Sequence, residues 1–187
     1  MASQIKVNEI IKQSGSSISI GESGDTVNIS SGATLDLSNP TVTLNSAMKM
    51  TPAFHVHKNA KQTIANATQT LVTFEVEDFD SNSAFDLSTE RFTPQVAGKY
   101  YLYAGIRWDT DVDFDISYLN IRKNGSTVFT ASHGNKYYDF TKVFGTVEAN
   151  GSTDYFDITC QHSRGSNLDT QSSEAGNYFG GYKVIGA

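Results

Sequence analysis

The run "KYYLYAGIRW" places Tyr100, Leu102, Ala104, Ile106 and Trp108 at every second position. On an extended chain these five side chains share one face, so the run is a strand with a single apolar side. "TLVTFEVEDF" repeats the pattern, with Val72, Phe74 and Val76 on one face and Thr73, Glu75 and Glu77 on the other. Asn124-Gly125 in "SYLNIRKNGSTVF" and Asn150-Gly151 in "KVFGTVEANGSTDYFDITC" each predict a tight hairpin, because both residue types tolerate positive φ. Many short strands, turn residues between them and no helical period specify an all-β chain whose C-terminal part is an antiparallel sandwich.

The N-terminal quarter follows a different rule. In "SISIGESGDTVNISSGATLDLSNPTVTL" the aliphatic pairs are Ile18 and Ile20, Val27 and Ile29, Leu35 and Leu37, and Val42 and Leu44, separated by turn-forming residues. Each pair gives a short strand one small greasy face. A strand of about three residues makes too few ladder bonds to stand alone, so other chains must cover it. Three identical chains wound about one axis would each add an aliphatic pair to every layer of a narrow shaft, at roughly 1.5–3 kcal/mol per buried side chain. The competing reading makes them edge strands of an ordinary sandwich. The opening "MASQIKVNEIIKQSG" then reads as a docking segment or as an extension of the shaft.

The 187 residues carry a formal charge of −6 with no run of Lys and Arg, which gives no attraction for nucleic acid or an anionic membrane surface. No apolar stretch is long enough to span a bilayer, and the first twenty residues lack the pattern of a secretory leader, so a soluble protein made in the cytosol is expected. The single cysteine, Cys160, shares a strand face with Phe156 and Ile158 and is read as a buried structural thiol. The neighbouring His162 leaves a nucleophile as the alternative.

From Pro52 onward, "PAFHVHKN", "RFTPQVAGKYYLYAGIRW", "YLNIRKNGSTV", "VEANGSTDYFDITC" and "NYFGGYKVI" occur in the order found in C1q-like domains, which are trimeric jelly rolls related to tumour necrosis factor. The strongest part is Phe92, Thr93, Pro94, Gly98, Tyr100 and Tyr101, supported by the closing Phe179-Gly180-Gly181-Tyr182. The resemblance implies that Gly98 opens a long central strand, that the aromatics fill the core, and that the domain assembles and binds rather than catalyses. The collagen stalk of the animal proteins is absent from the sequence; instead the N-terminal segment resembles fibre and decoration proteins of tailed, especially marine, bacteriophages. The implied plan is an attachment segment at residues 1–16, a repetitive β shaft at 17–50 formed by three chains, and a jelly-roll knob at 51–187.

Two clusters have metal-ligand chemistry. His55 and His57 lie on one face of "FHVH", and a threefold axis would gather six imidazoles for a transition metal, as in phage fibres whose His-x-His motifs ligate iron. The plainer reading is a pair of exposed polar residues. Asp109, Asp111, Asp113 and Asp115 in "WDTDVDFDISY" form a carboxylate ladder that calcium would relieve, as C1q-like proteins often hold calcium near the trimer apex. A solvated edge that blocks strand-to-strand aggregation is the alternative. Glu75, Glu77, Asp78 and Asp80 of "FEVEDFD" point to calcium less strongly, and no cofactor is required.

A glycosidase needs its two carboxyls held across a groove. A same-strand ladder does not hold them so, and no enzyme activity is expected. The polar segment "QHSRGSNLDTQSSEAGNY" is expected as a surface loop, either plainly solvated or offering Arg164, Asn167, Asp169 and Gln171 to a sugar or protein epitope, with Tyr137 and Tyr138 as stacking platforms. The expected protein is a homotrimeric virion fibre or spike, assembled in the host cytoplasm, fastened by its N-terminus to a tail or capsid protein and binding a host surface glycan or protein through the knob. A capsid decoration or head-fibre protein, and a C1q-like lectin outside any virus, are the alternatives.

Overall fold

The computed structural model describes residues 20, 25–35, 38, 42, 48–109, 116–134 and 140–186. The chain falls into two units, Met1–Thr43 and Leu44–Ala187. In the first unit the described aliphatics of the repeat, Ile20, Val27, Ile29, Leu35 and Val42, are all exposed, and none lies in a strand. Ile18, Leu37 and Leu44 lie outside the described residues.

The second unit holds all the described strands, in chain order β1 (Ala53–His57), β2 (Thr63–Ile64), β3 (Thr70–Leu71), β4 (Val76–Asp80), β5 (Phe85–Asp86), β6 (Arg91–Phe92), β7 (Gly98–Arg107), β8 (Ser117–Lys123), β9 (Ser126–His133), β10 (Phe140–Ala149), β11 (Phe156–His162), β12 (Leu168–Asp169) and β13 (Tyr178–Lys183). One sheet runs β10-β7-β13-β1-β4, the other β5-β6-β11-β8-β9 with β3 added beside β11, and β12 pairs with β2 as a small ribbon. Every pairing is antiparallel. The arrangement is the expected jelly-roll sandwich.

The alternating run is its spine. Tyr100, Leu102, Ala104, Ile106 and Trp108 are all buried, and β7 lies between β10 and β13 with Gly98 at its start at φ 145°. Phe54 of β1 bridges the layers, stacking on Phe92 at 4.2 Å between centroids and meeting Phe179 edge-on at 4.9 Å. Such contacts add about 0.5–1.5 kcal/mol per pair beyond the burial of apolar area. Phe156, Ile158 and Cys160 face this core as the alternation of β11 predicts. Asp157 on the opposite face is equally buried, because Arg122 of β8 grips its carboxylate in a fork at 2.6 and 2.8 Å.

Of three local expectations, one holds and two change. Asn124-Gly125 makes the predicted two-residue hairpin between β8 and β9, at φ 52° and 81°. Asn150-Gly151 makes none: β10 pairs with β7 and β11 with β8, so this turn carries the chain from one sheet to the other. The Asn150 carboxamide oxygen caps it by accepting from the amides of Ser152, Thr153 and Asp154. "TLVTFEVEDF" is likewise broken into β3 and β4, because the amide of Phe74 turns aside to a buried carboxylate, Glu90, at 3.0 Å.

Candidate functional site

The outward face of the β10-β7-β13-β1-β4 sheet is aromatic from one side to the other. Tyr101 stands 5.5 Å from Tyr182, 6.2 Å from Phe144 and 6.3 Å from Tyr103 between ring centroids. Tyr103 continues to Tyr178 at 6.1 Å and to His55 at 5.8 Å, and His55 to Phe79 at 6.3 Å. Glycines beneath the rings let them lie down: a Cβ at Gly180 would collide with Tyr103, and one at Gly105 with Phe140 and Tyr178. Phe144 is 65% exposed and Phe79 52%, a large apolar surface for one chain to leave in water.

The histidines lie at the β1–β4 end of this face. His55 and His57 point outward while Phe54 and Val56 point into the core, as alternation requires. Opposite them the β1–β4 register shifts: His55 pairs with Phe79 and Val56 with Glu77, leaving Asp78 as the extra residue of a bulge. Bulges re-aim side chains, and this one delivers a carboxylate to the imidazoles. Asp78 Oδ2 is 2.7 Å from His57 Nδ1 and 3.7 Å from His55 Nε2. Glu174 approaches from the segment between β12 and β13, and its carboxylate, His57 and Asp78 bring ligand atoms within 4.8 Å of one another.

Buried Asn177 anchors that segment, its carboxamide oxygen accepting from the Arg107 amide at 3.0 Å and its nitrogen donating to the Gln171 carbonyl at 2.7 Å. Burial lowers the pKa of His55, against the opposing pull of Asp78, and burial likewise raises that of Tyr103.

The other candidates are scattered. Asp109 is paired with Lys61, and Asp111, Asp113 and Asp115 lie outside the described residues, as do Tyr137 and Tyr138. Asn167 is exposed and Arg164 half-buried. Asp169 belongs to β12 rather than to an open loop, with its carboxylate accepting from the Thr63 hydroxyl at 2.6 Å, and its neighbours Leu168 and Thr170 are buried. Gln171 is half-buried, its amide bonded to the Arg107 carbonyl at 2.9 Å. Cys160 is fully buried, and burial pushes its thiol up to about 12, the state of an inert structural cysteine. His162 is also buried, with Nε2 at 3.1 Å from the Ile64 carbonyl oxygen and its ring against Trp108.

Sequence reasoning missed the outward aromatics and Glu174, and it named Asp78 only as a weak calcium candidate, apart from the histidines. Tyr101 and Tyr182 belong to motifs expected to fill the core, yet they stand on the opposite face from Tyr100 and Phe179. Strand parity held the signal for the tyrosines; nothing in the sequence announces the bulge at Asp78.

No protein-family model and no curated protein sequence matches the chain. Solved structures do match its fold. Murine APRIL at pH 5.0 aligns with TM-score 0.56 and 12% identity over 71% of this chain and 98% of that one. The Eiger TNF of S. frugiperda aligns at 0.53 and 12% over 72% and 93%. The globular domain of zebrafish complement 1qA aligns at 0.50 and 18% over 71% and 96%. The second unit therefore has the jelly-roll fold of the tumour necrosis factor and C1q-like domains.

Proposed function

We propose that this chain is a homotrimeric binding protein of a virion, a short fibre or spike whose jelly-roll knob contacts a host surface glycan or protein. The observation that carries the assembly is the aromatic face built from Tyr101, Tyr103, Phe144, Tyr178 and Tyr182. Its natural cover is the same face of further copies, and cyclic symmetry closes such an assembly. The aliphatic pairs at residues 17–50 support a three-chain shaft, and the sequence of the N-terminal segment supports the virion setting. Arg164, Asn167 and Gln171 are the candidate contacts, and three weak sites on one knob gain avidity together.

Light scattering on the full chain tests the assembly: the mass expected is about three times the 20.4 kDa of one chain, and Phe144→Glu should return it to monomer. A monomeric wild-type protein overturns the reading. Detection of the chain in purified virus particles, and of its binding to the cells they infect, tests the setting; a particle-free protein would favour the non-viral lectin.

A further inference from the structure

We propose that each chain binds its own divalent transition-metal ion of the zinc class, ligated by His55 Nε2, His57 Nδ1, Asp78 and Glu174. Donor chemistry and geometry both support this. Two imidazoles and two carboxylates form a nitrogen–oxygen set suited to zinc and cobalt. Four ligands 2.0–2.2 Å from one zinc stand about 3.3 Å apart on a tetrahedron. The spacings found are 2.7 Å from His57 to Asp78 and 3.7 Å from His55 to Asp78, with Glu174, His57 and Asp78 all mutually within 4.8 Å. His55 lies outside that converging group and would join it by rotating its ring further toward Asp78.

The surroundings orient the ligands. His55 Nδ1 lies 3.1 Å from the Tyr103 hydroxyl. In the tautomer that donates from Nδ1 to this hydroxyl oxygen, the lone pair of Nε2 faces Asp78, the outer-shell arrangement by which proteins fix a ligating imidazole. His57 now shares a hydrogen with Asp78; an ion would occupy that position, with the imidazole carrying its hydrogen on Nε2 instead. The bulge that sets Asp78 opposite the histidines and the Asn177 anchor of the Glu174 segment both serve this convergence.

Three of the donors, His57, Asp78 and Glu174, already converge within one chain, and His55 Nε2 is 3.7 Å from the Asp78 carboxylate. That separates the cluster from a site shared on a threefold axis, where six imidazoles would hold one ion for three chains. The inference is independent of host binding, since its test uses purified protein and metal alone.

The experiment is calorimetric titration of the chelator-stripped full chain with zinc chloride, with metal content confirmed by elemental analysis. One ion per chain is expected, together with cobalt d–d bands of a four-coordinate nitrogen–oxygen site. Affinity should fall at least a hundredfold in His57→Ala and in Asp78→Asn, and about tenfold in Glu174→Gln, which changes an exposed side chain and leaves the fold intact. One ion per three chains would overturn the proposal in favour of an axial site. Absence of binding would reduce the cluster to an ion pair. Undiminished binding in Asp78→Asn and Glu174→Gln, both folded by circular dichroism, would overturn it as well.

Discussion

The ring of Tyr103 lies directly across Gly180, so closely that a Cβ there would meet the far end of the ring. Its neighbour Gly181 points the other way, into the core against Leu102, Phe54 and the Tyr101 carbonyl oxygen. Substitution of these adjacent glycines should therefore separate assembly from stability. Gly180→Ala meets only the end of the half-buried Tyr103 side chain and no backbone, so the melting temperature should change by only a few degrees while association weakens at least tenfold. Gly181→Ala meets backbone that cannot yield and should cost about 1–3 kcal/mol, the usual range for overpacking. Thermal melts paired with sedimentation across a dilution series distinguish the two; equal loss of stability in both variants would contradict the assignment of faces.

The turn at Asn124 offers a second separation. Asn124 holds φ at 52°, and its side chain donates to Asp154 at 2.8 Å and accepts from the Tyr155 amide at 3.0 Å, tying the β8–β9 hairpin to the start of β11. Asn124→Gly keeps the backbone conformation and loses those bonds. Asn124→Ala loses them and also places a Cβ in the left-handed region, at about 1–2 kcal/mol. Denaturant unfolding should rank wild type above Gly above Ala, with the full loss in Ala about 2–3 kcal/mol. An Ala variant as stable as Gly would show that backbone strain contributes nothing here.

The sandwich was legible wherever one residue in two decides burial. The run ending at Trp108 became the central strand, and Phe156, Ile158 and Cys160 took the core side of β11. Legibility failed where partners distant in sequence set the geometry. Asn150-Gly151 has hairpin chemistry, yet the strands it joins are claimed by β7 and β8 in different sheets. Val76 pairs with the outward His57 and so has already left the inward phase of Phe74, and the register shift against β1 leaves Asp78 unpaired beside the histidines. Leu168 and Thr170 hide in a segment too polar to suggest burial, because β12 finds its partner in β2, a pairing about a hundred residues away in sequence. His55 and His57 were picked out by sequence alone; Glu174 was not, since nothing local connects it to β1.

Glu90 gives the stability of the fold a dependence on pH. It is 8% exposed and accepts a hydrogen bond from the Phe74 amide at 3.0 Å, and burial raises its pKa from 4.5 to about 7 despite that bond and the nearby Lys58 charge. A carboxyl with a raised folded-state pKa holds its proton more tightly when folded than when unfolded, so stability falls as pH rises. The contribution is fully present below about pH 4.5, declines between there and about 7, and levels off above that. A shift of this size corresponds to a span on the order of 3 kcal/mol. Glu90→Gln retains an acceptor for the Phe74 amide and never ionises, so it should match wild type near pH 4.5 and exceed it near pH 8. Urea unfolding of both proteins at the two pH values measures the difference, and a Gln variant that gains nothing on going to pH 8 would show that Glu90 ionises in the folded protein without cost.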